Sequence, residues 1–312
     1  MPERNGNFAF RILAVTGTAL VLMFFSEFYF LNEGPAAALA QGISALPGLA
    51  SFLGAYGIFA WLFLILLDRF RVHDLAGLVL AGAIFGWATE ALVVPVVYEG
   101  PPVTFFFPPV GWHALVDVVA GWYLLRLAMR RWPVWMLAGL FALIGVTWAF
   151  WATWTWGDGD AFTTGQFRNI VLVSSGLWGV GLVLADLGAA RRFHASRTEV
   201  LLLPGAALVL FVATGLPFWP WMLALSALMA LTLFALWRGA GNDGRASLAG
   251  PMRMPPLSAY LALPILPAAA LLAYPLVLEN RWAVPSAGIA LLLTFAGGAV
   301  FFWAIVKMFT SR

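Results

Sequence analysis

The chain has 312 residues, of which 62% are hydrophobic, 15% aromatic and 10% charged, with a mean hydropathy of +0.92. Soluble domains are roughly 45–50% apolar and about 25% charged, so the composition excludes a water-soluble globular protein. Lys plus Arg number 17 against 14 Asp plus Glu, a balance of +3 without any acidic or basic run, which removes nucleic acid as a partner. The absence of Cys and the presence of only 3 His exclude disulfides, thiolate metal centres, iron–sulfur clusters, Cys nucleophiles and multi-histidine cages.

A hydrocarbon core about 30 Å thick takes about 20 apolar helical residues. Ten such runs follow one another, at about 12–32, 48–67, 75–97, 109–127, 132–154, 169–189, 200–217, 219–238, 257–278 and 285–306. Ala38-Leu39-Ala40 after span 1 has the form of a signal-peptidase site, but the preceding apolar run is too long for a signal h-region and contains Glu27, so span 1 is expected to remain uncleaved. The small-residue stretch Gly34–Leu46 is expected along the outer surface. Pro217-Phe218-Trp219-Pro220-Trp221 must turn the chain sharply between spans 7 and 8. The inner loop 239–256, rich in Gly, Ser and Pro, reads as a flexible joint.

Positive charge tests the count, because cytoplasmic loops keep Lys and Arg. With ten spans and the N-terminus inside, Arg4, Arg11, Arg69, Arg71, Arg126, Arg130, Arg131, Arg191, Arg192, Arg197, Arg238, Arg245, Arg253, Lys307 and Arg312 fall inside, and Arg168 and Arg281 outside, 15 against 2. The fold class read from the sequence is therefore all-α, a polytopic integral membrane protein of about ten transmembrane helices, N-in and C-in. It forms one domain over 1–312, in a bacterial-type cytoplasmic membrane. Spans 1–4 (about 12–127) carry the polar residues and spans 5–10 (about 132–306) are mostly apolar.

Ionisable groups within spans are costly and face the bundle interior, a partner or a water-filled cavity. They are Glu27 in span 1, Glu90 in span 3, His113 and Asp117 in span 4, and Asp186 in span 6. Asp186 lies near Arg191 and Arg192 and reads as an interfacial ion pair with them. At 1.5 Å per residue, Glu27, Glu90, His113 and Asp117 all lie roughly 6–12 Å below the outer boundary. Gly82, Gly86 and Glu90 share one helix face, as do His113, Asp117 and Gly121, since residues four apart are stacked. Packing of the two glycine stripes would bring Glu90 to His113 or Asp117, with Glu27 joining if span 1 lies alongside. The stiff aromatic segment Tyr98–Pro109 is expected either to cap this layer or to lie in the headgroup belt.

Carboxyls beside a histidine suit acid–base chemistry, one group holding a proton and the other ready to take it. In the enzyme reading Glu90 and His113 are acid and base and Asp117 orients the ring. Glu27, Glu99, Tyr98 and Trp112 position a lipid or isoprenoid-like substrate. Glu27, Glu90, His113 and Asp117 would equally suit a divalent metal, such as Mn, Zn or non-haem Fe. The alternatives are a secondary transporter with proton-coupling carboxylates and a non-catalytic subunit whose polar groups only fasten helices.

Trp148, Trp151, Trp154 and Trp156 read as an interfacial belt more readily than as an isoprenoid groove. Gly176, Gly179 and Gly181 read as close helix packing, and Gly157-Asp158-Gly159-Asp160 as a turn with the option of a divalent cation. The run Glu27–Asn32 resembles membrane ceramidases, and the paired Glu with His113-x-x-x-Asp117 resembles intramembrane abortive-infection-type proteases. Both families need further histidines or a double-Glu motif that this chain lacks, so neither supplies a role for its residues.

Overall fold

In a computed structural model, the described residues are 8–310 without 32, 46, 93, 158–160, 241–246 and 251. The apolar runs form ten helices long and apolar enough to cross a membrane: Phe8–Tyr29, Leu49–Arg69, Leu75–Leu92, Val103–Arg131, Val134–Trp156, Thr164–Gly188, Arg197–Phe218, Trp221–Gly239, Leu257–Asn280 and Ser286–Thr310. We refer to them as spans 1 to 10. Spans 6 and 7 each begin at a reciprocal cap, Thr163 with Gln166 and Ser196 with Glu199, which satisfies backbone donors that a helix start leaves free. No strand occurs among the described residues.

Span 3 is the most buried of the ten and forms the centre, in contact with spans 2, 4, 7, 8 and 10. Span 1 packs most extensively on span 6 and also meets spans 2 and 4. In lipid the driving force for helix association is close packing, which small residues permit. On span 1, a Cβ added to Gly17 would lie 2.0 Å from the backbone nitrogen of Ala185, and one on Gly181 would lie 2.6 Å from Leu20. Gly176 and Gly179 make no comparably close approach, so the packing expected of this glycine run rests on Gly181 alone. Residues Glu33–Ala40 form a short helix against span 6, with Ala36 and Leu39 fully buried.

Two stretches depart from α-helical winding. Phe24–Tyr29 in span 1 and Pro109–Leu124 in span 4 are π-helical. The wider winding is visible in Gly111 N–H donating to the Phe106 carbonyl at 2.7 Å and His113 N–H to the Pro108 carbonyl at 3.0 Å. Such windings occur often at functional sites. Glu27 lies in the first and His113 and Asp117 in the second.

Charge pairs gather where spans 1, 3 and 7 begin and spans 2, 4, 6 and 10 end. Arg11 meets Glu199 at 3.2 Å, Lys307 meets Asp74 at 3.1 Å, and Asp68 meets His194 at 3.1 Å and Arg192 at 3.5 Å. Asp186 does not pair with Arg191 or Arg192, as its position in the sequence suggested. It is fully buried and takes Arg126 at 2.7 Å, Arg130, and the Tyr260 hydroxyl at 2.7 Å. The reason is that span 9 packs against span 6 and the arginines at the end of span 4 reach Asp186, whereas Arg191 lies over the Phe10 ring at 4.5 Å.

The loop read as a flexible joint is anchored where it is described. Leu248 N–H donates to the Val72 carbonyl at 2.7 Å, Phe193 N–H to the Ala249 carbonyl at 3.2 Å and Met252 N–H to the Ala189 carbonyl at 2.8 Å. Asp158, Gly159 and Asp160, the acidic part of the Gly157–Asp160 turn, lie outside the described residues.

Candidate functional site

Span 3 meets span 4 through its small residues. A Cβ on Gly86 would fall 2.0 Å from the Pro109 carbonyl oxygen, and one on Gly82 would fall 3.0 Å from Ala114. Gly121 contributes elsewhere, where a Cβ would fall 2.4 Å from the Phe25 ring of span 1. The contact between spans 3 and 4 brings Glu90 and His113 together, with Glu90 Oε1 2.7 Å from His113 Nε2. On the other edge of the same ring, Asp117 Oδ2 lies 2.7 Å from Nδ1, and Ser26 Oγ lies 3.1 Å from it.

The string continues. The Tyr56 hydroxyl of span 2, buried at the centre, has two acceptors for its single proton, Ser26 Oγ at 2.6 Å and Glu27 Oε1 at 2.5 Å. Glu90, His113, Asp117, Ser26, Tyr56 and Glu27 thus form one hydrogen-bonded line across four helices. Ser26 and Tyr56 were not singled out in the sequence, because a serine and a tyrosine in apolar helices carry no spacing signal. The π-helical winding of Phe24–Tyr29 presents Ser26 and Glu27, adjacent in sequence, to a common partner.

An imidazole flanked by carboxyl oxygens at both nitrogens has two arrangements with the same heavy-atom positions. It is an imidazolium donating to two carboxylates, or a neutral ring between one carboxylate and one carboxylic acid. Moving between them requires only a proton shift along a 2.7 Å line. Glu90 is the partly exposed end, its side chain 17% accessible, whereas Asp117 is fully buried. Asp117 Oδ1 has no hydrogen-bond partner among the described residues. A buried oxygen without a partner is uncommon and marks a place for a proton or a water.

The other positions singled out in the sequence are placed as follows. Trp112 is buried and donates its indole N–H to the Phe25 carbonyl at 3.1 Å, so it braces the π-helical segment of span 1. Tyr98 is buried but turns to spans 7 and 8, stacking on Phe218 at 5.0 Å. Burial pushes its phenol up to about 12. Glu99 is exposed, and neither Tyr98 nor Glu99 is hydrogen-bonded to the string. The segment after them folds onto the bundle, with the Phe105 carbonyl accepting from the Trp87 indole at 2.8 Å and Phe106 packing on Phe301 and Phe302. Among the described residues no three His, Asp or Glu side chains are arranged to hold a metal ion. The carboxyls are spread along the histidine instead of converging on one point.

Two of the span 5 tryptophans, Trp148 and Trp151, face inward instead of forming a headgroup belt. Trp148 is fully buried and donates to the Phe28 carbonyl at 3.1 Å, and Trp151 to the Phe30 carbonyl at 2.9 Å. Phe28 and Phe30 lie at the C-terminal end of span 1, where the last carbonyls of a helix have no intrahelical partner, and in a membrane interior these must be satisfied by neighbours. No family model, curated protein or solved structure matches the chain.

Proposed function

We propose that the protein is a membrane-embedded proton-handling enzyme, with Glu90 and His113 as the acid–base pair. Asp117 holds the ring, and Tyr56 with Ser26 links the pair to Glu27. The observation that carries this reading is the His113 ring with a carboxyl oxygen 2.7 Å from each nitrogen, inside helices apolar enough to cross a membrane. General acid–base catalysis needs such a positioned pair. The apolar surroundings favour a lipid or isoprenoid-like substrate that reaches Glu90 from within the bilayer. The chain is read as N-in and C-in on the strength of the basic residues, 15 against 2, by the positive-inside rule of a bacterial-type cytoplasmic membrane.

A second reading, proton-coupled transport, is favoured by the length of the string, which ends in a carboxyl at each side, Glu90 and Glu27. Ionisable chains of this kind serve as proton relays. Vesicles reconstituted in native lipid extract separate the two. The enzyme predicts a change in the lipid mass spectrum on incubation, lost in Glu90→Gln. The transporter predicts Glu90-dependent proton flux under an imposed pH gradient with the lipids unchanged. Neither signal would reject both.

A further inference from the structure

A groove of about 530 Å³ runs between spans 1, 4 and 5, apart from the hydrogen-bonded string. Its walls are apolar, among them Phe25, Tyr29, Val116, Ala120 and Leu140, and at its end stand Arg131 and Trp132. From Val116 to Arg131 the groove follows span 4 for about 20 Å at the helical rise, somewhat more than half of a hydrocarbon core about 30 Å thick. The volume falls in the range of ligand sites, roughly 300–1,000 Å³.

The charge at its end is uncompensated. Arg131 is exposed and has no ion-pair partner among the described residues. The neighbouring Arg126 and Arg130 share one carboxylate, that of Asp186, so this end of span 4 is positive even before Arg131 is counted. Trp132, 43% exposed, is of the type that settles at headgroup level. An apolar slot one acyl chain long that ends in an unpaired guanidinium and an interfacial indole matches a single class of molecule.

We infer that this groove is a specific site for an anionic glycerophospholipid, with one acyl chain along Val116, Ala120 and Tyr29 and the phosphate at Arg131. The site does not depend on the roles assigned to Glu90 and His113. Ala120 is exposed on the groove wall, so Ala120→Phe fills the slot without disturbing the core, and Arg131→Gln removes the charge alone.

The test is native mass spectrometry of protein extracted from bilayers of equal phosphatidylglycerol and phosphatidylcholine, with bound lipids counted as collision energy rises. The wild type is expected to hold one phosphatidylglycerol preferentially. Arg131→Gln should reduce that preference about fivefold, the effect of one basic residue near an anionic headgroup, while still retaining lipid of either kind. Ala120→Phe should lose the tightly held lipid altogether. Equal phosphatidylglycerol retention by wild type and Arg131→Gln overturns the proposal, as does undiminished retention by Ala120→Phe.

Discussion

Glu90 of span 3 reaches His113 of span 4 because the two backbones touch one turn earlier in each helix, where Gly86 meets the Pro109 carbonyl. The contact leaves no room for a side chain. A Gly86→Ala methyl would sit 2.0 Å from that oxygen and must push the spans apart, at a cost of about 1–3 kcal/mol for overpacking. Thermal unfolding in detergent should register this. Gly57→Ala, where nothing lies within 4 Å, should leave the midpoint unchanged.

Activity should depend on the string more than stability does. Glu90→Gln keeps the shape and one hydrogen bond but cannot exchange a proton, and His113→Ala removes the centre. A positioned acid or base contributes about 10²–10⁴-fold, so either variant should lower turnover or proton flux by at least about 100-fold while membrane expression stays near wild type. If both variants instead lost expression in parallel with activity, the residues would be helix fasteners.

Tyr56→Phe deletes the hydroxyl that faces both Ser26 and Glu27. The expected outcome is a split between probes. Chemistry confined to Glu90 and His113 should fall by less than about tenfold, whereas any process that moves protons as far as Glu27 should stop. Flux and turnover measured on the same vesicles will show whether the two separate.

The number of spans was legible because each is a long apolar run, and the Glu90–His113 meeting was legible because Gly82 and Gly86 mark a face where helices approach closely. The rest depended on features without a local signature. π-helical winding at Pro109–Leu124 cannot be inferred from a pattern of apolar residues, because an apolar helix has no polar face to reveal its period. For the same reason Trp148 and Trp151 looked like belt residues, when they serve the carbonyls of a neighbouring helix. Asp186 was assigned to the nearest arginines in sequence, while its arginine partners come from span 4, 60 and 56 positions away.

The tryptophan contacts make their own prediction. Trp148→Phe keeps a ring in place but leaves the Phe28 carbonyl without the indole that now donates to it at 3.1 Å. A buried acceptor left unpaired costs about 1–3 kcal/mol. Trp61→Phe is the control, since its indole nitrogen is buried without a partner and no acceptor is abandoned. Paired midpoints for the two variants, measured under one detergent condition, should differ by the value of that hydrogen bond.

Asp186 is the centre of a buried ion cluster. Both of its oxygens are engaged, by Arg126, Arg130 and the Tyr260 hydroxyl, and the Arg126 guanidinium also covers the Trp122 ring at 5.1 Å. Removing one partner of a buried pair costs about 3–5 kcal/mol, because the remaining charge is left uncompensated. Asp186→Leu should therefore lower the unfolding midpoint more than any change in the Glu90 string. The triple replacement Arg126→Met, Arg130→Met, Asp186→Leu removes all three charges together and should recover most of the loss, since a buried ion cluster is often no better than apolar groups of similar volume. Failure of the triple variant to recover would mean that the cluster directs the docking of spans 4, 6 and 9 instead of merely neutralising itself, and a cysteine cross-link between spans 4 and 6 would then restore stability where the apolar side chains did not.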